Sequence, residues 1–213
     1  MFYFLKIMTL ITDLQYFPSV SFFKISSEFS NIVFEQYETY QKMSFRNRCQ
    51  IAGGEGVINL NIPLEGGRDK KMLMKDVRIA DAQPWQAQHW KTIVSCYSRS
   101  PWFEFYRDDL EGLYKTRYEG LMEFNLACFD WVLKRLRLPV TISLTERYAP
   151  AYAPEEGMDI RGRFSPKNRT ISDKASPVRY RQVFEERTGF IPGLSILDLL
   201  FCEGKEAVRY IRS

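Results

Sequence analysis

The sequence is poor in the residues that build metal and disulfide sites. It has a single histidine, His89, and four widely spaced cysteines that form no CxxC pair: Cys49, Cys96, Cys128 and Cys202. A zinc site with one histidine would need cysteine or carboxylate for its other ligands, and this spacing disfavours both structural zinc and a disulfide framework. We therefore predict no metal site and four reduced thiols.

A long apolar run and a strong excess of one charge are also missing. The apolar start, Met1–Thr12, contains Lys6 and is shorter than the ~20 residues of a membrane span. It has no basic leader and no small-residue cleavage site. The 30 Lys and Arg against 26 Asp and Glu give a net charge of +4, well below the excess typical of nucleic-acid binding. We expect a cytoplasmic protein without a transmembrane segment and regard nucleic acid as an unlikely partner.

Length and composition favour one globular domain. The chain has 213 residues, of which 45% are hydrophobic and 26% charged, a balance that excludes disorder and fibrous repeats. Residues 8–213 are predicted to form a single domain. Residues 1–7 have two interpretations, either a mis-assigned start ahead of Met8 or an extension of the first strand.

The N-terminal third has the pattern of a βαβ unit followed by a hairpin. A buried strand is predicted over Ile7–Asp13, an amphipathic helix opens at Ser19, and a second buried strand covers Ile32–Phe34. Strands joined by a helix predict a parallel, right-handed unit. Extended segments at Cys49–Ala52 and Val57–Leu64, separated by a glycine-rich turn, predict the hairpin. Another strand is predicted over Met72–Ile79.

The rest of the chain is predicted to be mainly helical. A helix follows Pro84, and a single apolar stripe runs through Asp109–Leu138 before Pro139 stops it. Val140–Leu144 can return to the sheet, Arg147–Pro177 reads as a long loop, and Lys205–Arg212 as a short last helix. The predicted class is therefore α/β, a single domain whose mixed sheet carries the βαβ unit, the hairpin and a helical middle region.

The turn between the first strand and the first helix is one candidate binding site. Ligands of open α/β sheets bind beyond the carboxyl ends of the strands, and helix N-termini attract anions. Gln15 and Tyr16 are predicted to orient a ligand there. The alternative is a proline-shaped turn in which Ser19 merely caps the helix.

A cation-rich loop after the second strand is another candidate. Lys42, Arg46 and Arg48, with Asn47 between them, lie within seven residues that contain no acid. Such a group can clamp a phosphate or carboxylate, since arginine binds oxyanions in a bidentate manner. The alternative is a solvated loop whose cations pair with Glu35 or Glu38.

Four further features are candidates for a functional role. Residues 161–181 carry seven cations against Asp173 alone, a local excess of +6, which fits either an acidic ligand or a basic loop with no ligand. His89 is the one ordinary base near neutral pH, or else a core histidine. Asn125 is interpreted as a buried amide. Ser195 and Asp198 fit a helix cap better than part of a Ser–His–Asp triad.

Several spaced motifs resemble the WbqC-like protein family. They are Leu14–Ser19, Tyr40–Lys42, Ser44–Cys49, Ile62–Pro63, Trp85 with His89–Trp90, Asn125, Phe190–Pro192 and Leu194–Phe201 with Gly204. The resemblance implies an association with O-antigen and other surface-polysaccharide gene clusters, and for some members glycine transfer onto a sugar has been suggested. The matching polar residues that it carries over are Gln15, Tyr16, Lys42, Arg46, Asn47, Arg48, His89 and Asn125.

The resulting hypothesis is a transferase that adds an acyl or aminoacyl group to a sugar. Its donor carries phosphate, as a nucleotide-linked sugar, an acyl carrier or an adenylate does. Lys42, Arg46 and Arg48 hold the anion, Gln15 and Asn47 orient the reacting group, and His89 is the base. This requires the two loops to converge in one electropositive hollow. The alternative is a non-catalytic module that binds a nucleotide or sugar phosphate and contacts other enzymes of the pathway.

Overall fold

The computed structural model describes residues 9–66, 71–166 and 177–212, and it confirms the N-terminal βαβ unit. Strand β1 covers Thr9–Asp13, helix α1 Val20–Ser26 and strand β2 Asn31–Glu35. The two strands are parallel. Ser19 caps α1, since its Oγ accepts a hydrogen bond from the Phe22 backbone N–H at 3.2 Å. The two interpretations of residues 1–7 lie outside the described residues.

Two more parallel strands complete the main sheet. Strand β5, Thr141–Leu144, pairs with β2, and strand β6, Met158–Asp159, pairs with β1, giving the order β5-β2-β1-β6. β5 confirms the strand predicted over Val140–Leu144, whereas β6 lies inside the predicted long loop. Because the four strands run in one direction, their carboxyl ends share one edge of the sheet.

The predicted hairpin is confirmed and forms a sheet of its own. Strand β3, Arg48–Gly53, pairs antiparallel with strand β4, Gly56–Asn61. Gly56 turns the chain with a φ of 121°, a conformation that favours glycine. The α/β class is thus confirmed, with the parallel and antiparallel strands in two separate sheets.

The segment Met72–Ile79 is not a strand. It contains a 3-10 turn over Met74–Asp76, flanked by isolated bridges from Leu73 to Thr39 and from Ile79 to Leu64. Met74 and Val77 are both buried, and their three-residue spacing suits a 3-10 turn, in which such side chains share a face. The apolar content of the segment therefore reflected burial and not strand geometry.

The helical middle region consists of three helices. They are α2, Trp85–Tyr97, α3, Phe103–Lys115, and α4, Leu121–Leu136. The stripe predicted as one helix over Asp109–Leu138 is interrupted, because the backbone is extended at Thr116 and again at Gly120. Both helices bury their apolar faces in the same core, so the pattern continues through the break.

Three short helices close the described chain: α5, Glu185–Thr188, α6, Ile196–Glu203, and α7, Ala207–Arg212. The cap predicted at Ser195 is present, since its Oγ accepts from the Leu197 N–H at 3.3 Å. Asp198 accepts hydrogen bonds from Tyr97 and Tyr180 at 2.6 and 2.7 Å, and burial raises its pKa to about 6. These contacts are not those of a Ser–His–Asp triad. In the described part of the chain, no helix has the length and apolar character needed to cross a membrane.

Candidate functional site

The carboxyl ends of β1 and β2 carry two acids side by side. Asp13 and Glu35 are partners in the strand register, and both are 0% exposed. Neighbouring carboxylates repel each other strongly away from water, so they need cations or donors nearby. The side chains that surround them form a group that we call the edge cluster: Asp13, Gln15, Glu35, Glu38, Arg46 and Arg161.

Arg46 neutralises one half of the edge cluster. Its Nε donates to Glu38 Oε1 at 3.0 Å, its Nη2 donates to the same oxygen, and its Nη1 lies 3.7 Å from Asp13 Oδ2. The guanidinium is 1% exposed. Burial raises the pKa of Glu38, with Arg46 opposing the rise and Asp13 and Glu35 adding to it. The three carboxylates therefore share one electrostatic environment.

Glu35 is the centre of the other half. Its Oε1 accepts from Thr145 Oγ1 at 2.9 Å and from the Tyr37 N–H at 2.7 Å, and its Oε2 accepts from Tyr152 and from Arg161 Nη1, both at 3.2 Å. Two of these four donors belong to residues 149–164, which we call the cover segment. Arg161 thus holds the cover segment against the carboxyl edge of the sheet.

The cover segment also reaches the Arg46 half. The Gly162 N–H donates to Asp13 Oδ1 at 2.9 Å, and the Phe164 carbonyl accepts from Gln15 Nε2 at 3.4 Å. Gln15 Nε2 donates in addition to Asp13 Oδ2 at 2.9 Å. These two acceptors orient the Gln15 amide, and its Oε1 is left with no donor among the described residues.

The two predicted loops do converge. The Tyr16 N–H donates to the Phe45 carbonyl at 3.0 Å, and Gln15 and Arg46 meet at the Asp13 carboxylate. The convergence point is not the predicted electropositive hollow, because Arg46 pairs with Glu38. The alternative interpretation named this acid but placed the pair in a solvated loop, whereas Arg46 is buried. Ligand binding by Gln15, Tyr16 and Arg46 stays a prediction.

The remaining residues of the cation-rich loop differ in their surroundings. Asn47 holds the hairpin, because its Oδ1 accepts from Tyr40 and its Nδ2 donates to the Ile62 carbonyl, both at 2.9 Å. Arg48 Nε donates to the amide oxygen of Asn61 at 2.6 Å. Burial raises the pKa of Tyr40, and Arg46 and Arg48 both oppose the rise. Lys42 is exposed.

His89 belongs to a second network, which we call the helix relay: Tyr114, Tyr16, His89 and the Asn61 carbonyl. The Tyr114 and Tyr16 hydroxyls lie 2.6 Å apart, Tyr16 Oη lies 3.1 Å from His89 Nδ1, and His89 Nε2 lies 3.2 Å from the carbonyl. A carbonyl only accepts, so Nε2 carries the proton and Nδ1 accepts from Tyr16.

The relay holds His89 in the neutral form. Burial lowers its pKa to about 4, although the bond to Asn61 acts in the opposite direction. Both ring nitrogens are engaged in this arrangement. The predicted role of His89 as a base is therefore not prepared in the described conformation, and it stays a prediction.

Three of the four described cations of the basic stretch are paired with acids, and the fourth, Arg163, is exposed. Arg179 donates to Glu185 at 2.6 Å and Arg181 to Glu186 at 2.9 Å, while Arg161 belongs to the edge cluster. Lys167, Arg169, Asp173 and Lys174 lie outside the described residues.

The described part of the chain contains no group of three or more His, Cys, Asp or Glu residues arranged to hold a metal ion. The four cysteines are free thiols. Burial raises the pKa of Cys49 and of Cys202, which disfavours the thiolates.

Sequence reasoning missed Asp13 and the role of Arg161, and it named Glu35 and Glu38 only as partners of cations in a solvated loop. A signal was present, because Asp13 and Glu35 each end an otherwise apolar strand and the strands are parallel neighbours. Charged side chains at such positions meet at one edge of the sheet and seldom serve packing alone. Arg161 carried no comparable signal, because it lies far along the chain from its partner Glu35.

Comparison with known proteins places these residues in a family. A sequence profile of the WbqC-like protein family matches residues 15–161, which is more than half of the chain and runs from Gln15 to Arg161 of the edge cluster. An uncharacterized protein of Mycobacterium tuberculosis (strain ATCC 25618 / H37Rv), Rv1507c, is 24% identical over 224 residues, covering 95% of this chain and 96% of that protein. No solved structure matches significantly. The chain belongs to the WbqC-like protein family.

Proposed function

We propose that this protein is a cytoplasmic transferase of surface-polysaccharide biosynthesis that binds its ligands at the carboxyl edge of the parallel sheet. The convergence of the edge cluster at the ends of β1 and β2 carries the proposal, because ligands of such sheets gather there. Membership of the WbqC-like family supports the pathway, and transfer of an acyl or aminoacyl group, glycine included, to a sugar is the reaction that the resemblance favours.

Glu38 is the base in this proposal. It is 8% exposed and its pKa is raised first of all by burial, so its carboxylate is a better proton acceptor than one in water. The acceptor's amine or hydroxyl attacks the acyl carbon and its proton passes to Glu38, while the bond from that carbon to the donor's leaving group breaks. His89 is a positioning residue in this proposal, because it bonds the hydroxyl of Tyr16, the residue that follows Gln15 in the chain.

A phosphate-bearing donor would be held by the cations of the loop after β2. Within the described residues Arg48 donates to an amide oxygen and pairs with no carboxylate, so its charge is available to an oxyanion. Lys42 lies exposed in the same loop. In this scheme Gln15 and Asn47 orient the reacting groups, and Arg46 holds Asp13 and Glu38 in place.

The test is a transfer assay followed by mass spectrometry. Acyl-CoA, acyl-adenylate and aminoacyl-adenylate donors are paired with nucleotide sugars as acceptors. We expect one pair to give product, Glu38→Gln to lower turnover by about 100-fold or more, and Arg48→Gln to raise the donor KM. Arg209→Gln, on the exposed face of α7, is the control. Full turnover by the Glu38 variant would remove that residue from the chemistry.

The second candidate is a non-catalytic module that binds a nucleotide or sugar phosphate and contacts other enzymes of the pathway. The two hydrogen bonds of His89 favour it, because Nδ1 accepts from Tyr16 and Nε2 faces the Asn61 carbonyl, so neither nitrogen faces an open position for a substrate proton in this arrangement. A thermal-shift screen separates the candidates. A ligand at 100 times its Kd adds ~2.7 kcal/mol of stability, and a nucleotide sugar that stabilises the protein but is never modified favours the module.

A further inference from the structure

The edge cluster holds more acid than base. Its carboxylates and the neighbouring Asp159 give four negative charges, against the two guanidinium groups of Arg46 and Arg161. Arg46 is shared between Asp13 and Glu38, and Arg161 between Glu35 and Asp159. With all groups ionised, each half carries a net charge of −1. Asp159 is exposed, whereas Asp13 and Glu38 are buried. The buried excess therefore lies in the Arg46 half, where it is unfavourable unless a further cation joins it.

The same place lacks a hydrogen-bond donor. Gln15 is 1% exposed and its Oε1 has no partner in the described part of the chain. Exchanging the two ends of the amide does not help, because Nε2 already faces two acceptors, Asp13 Oδ2 and the Phe164 carbonyl. Asn125 repeats the pattern: its Nδ2 donates to the Arg46 carbonyl at 2.7 Å, and no described residue bonds its Oδ1.

Building on the proposed function, we propose that the edge cluster binds the protonated primary amine of a substrate, at Asp13, Glu38 and the Gln15 carbonyl oxygen. An ammonium group is the ligand that meets both observations, since it brings one positive charge and three donors and no acceptor. A hydroxyl would supply a donor without charge. A phosphate would add acceptors and negative charge to a group already rich in both.

The proposal gives the base a defined task. An ammonium group is not a nucleophile, and the transfer requires it to lose a proton first. Bound between Asp13 and Glu38, it passes that proton to the Glu38 carboxylate, and the neutral amine then attacks the acyl carbon. The donor's leaving group departs with its bonding electron pair and takes up the second proton, which the nitrogen sheds as the amide bond forms.

Access to this position requires the cover segment to move. The Gly162 N–H and the Phe164 carbonyl occupy Asp13 and Gln15, so the amine replaces at least the bond from Phe164. The cover segment is suited to this, because many of its residues are exposed and it joins the sheet through the two-residue strand β6.

The test uses pairs of probes that differ only in the amine. Glucosamine and glucose represent a sugar source, and glycinamide and glycolamide represent an amino-acid source. Binding to the whole protein is measured by calorimetry at low salt. We expect the amine of at least one pair to bind at least 10-fold more tightly than its hydroxyl partner. That preference is expected to fall to less than about threefold in Asp13→Asn and Glu38→Gln, and to persist in Arg209→Gln.

Equal binding of amine and hydroxyl in both pairs would overturn the inference, as would an unchanged preference in a folded Glu38→Gln. The probe pairs need no variant, so a variant that fails to fold leaves the test intact. The outcome is separate from that of the transfer assay. Transfer to a hydroxyl acceptor without amine binding would sink this inference alone, whereas amine selectivity without any transfer would leave it standing and remove the proposed reaction.

Discussion

The edge cluster and the helix relay are both buried polar networks, and they meet at neighbouring residues, Gln15 and Tyr16. The edge cluster is ionic, with acids in excess and a carbonyl oxygen, Gln15 Oε1, for which the described part of the chain offers no donor. The helix relay is neutral, and each of its bonds joins one donor to one acceptor.

The difference separates structure from function. A network whose groups are all matched is stable as it stands and gives a ligand nothing to complete. A network with surplus charge and a missing donor is costly to bury, and a ligand that supplies what is missing recovers that cost. This contrast supports the proposal that the edge cluster binds a ligand while the helix relay stabilises the fold.

The largest effect is expected from removing the cation of the edge cluster. Arg46→Met leaves Asp13 and Glu38 buried without their shared guanidinium, and losing one member of a buried pair costs about 3–5 kcal/mol. Urea unfolding at neutral pH measures the loss. Arg209→Met, at an exposed position, is expected to change stability by less than ~0.5 kcal/mol.

Replacing the acids tests whether charge is the cause. In the Arg46→Met background, adding Asp13→Asn and Glu38→Gln should recover a large part of the lost stability, because the uncompensated charges are then gone. A triple variant no more stable than Arg46→Met would mean that packing around the arginine, and not its charge, holds this edge together.

The sequence predicts more of the fold than of the candidate site. The βαβ unit and the hairpin followed from apolar periodicity, the Ser19 cap and the glycines before Val57, all of which act over a few residues. Met72–Ile79 was misassigned because buried apolar residues occur in 3-10 turns as well as in strands. The break at Thr116 was missed because α3 and α4 face one core.

The site was predictable in its location and not in its charge. Parallel β1 and β2 bring Gln15 and Arg46 to one edge of the sheet, as predicted. The pairing of Arg161 with Glu35 joins residues 126 positions apart, and local spacing contains no record of such a contact. Without these partners, the loop around Arg46 reads as a cationic surface, although the folded arginine is enclosed by acids.

Breaking the helix relay at Tyr16 is expected to lower the stability of the protein less than Arg46→Met does. Tyr16→Phe removes the hydroxyl that joins Tyr114 to His89, and it leaves His89 Nδ1 buried without a donor. An unsatisfied buried group costs about 1–3 kcal/mol. Urea unfolding measures this, and a loss as large as that of Arg46→Met would contradict the distinction between a neutral and an ionic network.

The two regions are also expected to respond to pH with opposite signs. The pKa of His89 is lowered from 6.5 to about 4 in the fold, so below pH 6.5 the unfolded chain binds a proton that the native protein does not. Its contribution to stability is present above pH 6.5 and is lost as pH falls, by about 2 kcal/mol between pH 6.5 and 5. Glu38, whose pKa is raised by burial, loses its contribution as pH rises.

Unfolding free energies at pH 5, 6 and 7 test this opposition. His89→Gln should flatten the rise of stability with pH, and Glu38→Gln should steepen it. If His89→Gln keeps the wild-type slope, the fold does not lower the pKa of His89. The protonated histidine then donates from Nδ1 to Tyr16 as well as from Nε2 to the Asn61 carbonyl.

The smallest effect is expected at the outer end of the helix relay. Tyr114→Phe removes one hydrogen bond, but Tyr16 still donates to His89, so no buried donor or acceptor of the histidine is left without a partner. A single neutral hydrogen bond contributes about 1 kcal/mol. Tyr114→Phe should therefore lower stability less than Tyr16→Phe and should keep the pH dependence of the wild type, because His89 stays neutral.

A Tyr114→Phe variant that binds amine probes as tightly as the wild type would show that the relay supports the fold without taking part in binding. Weaker amine binding in a variant of undiminished stability would instead join the two networks into one site.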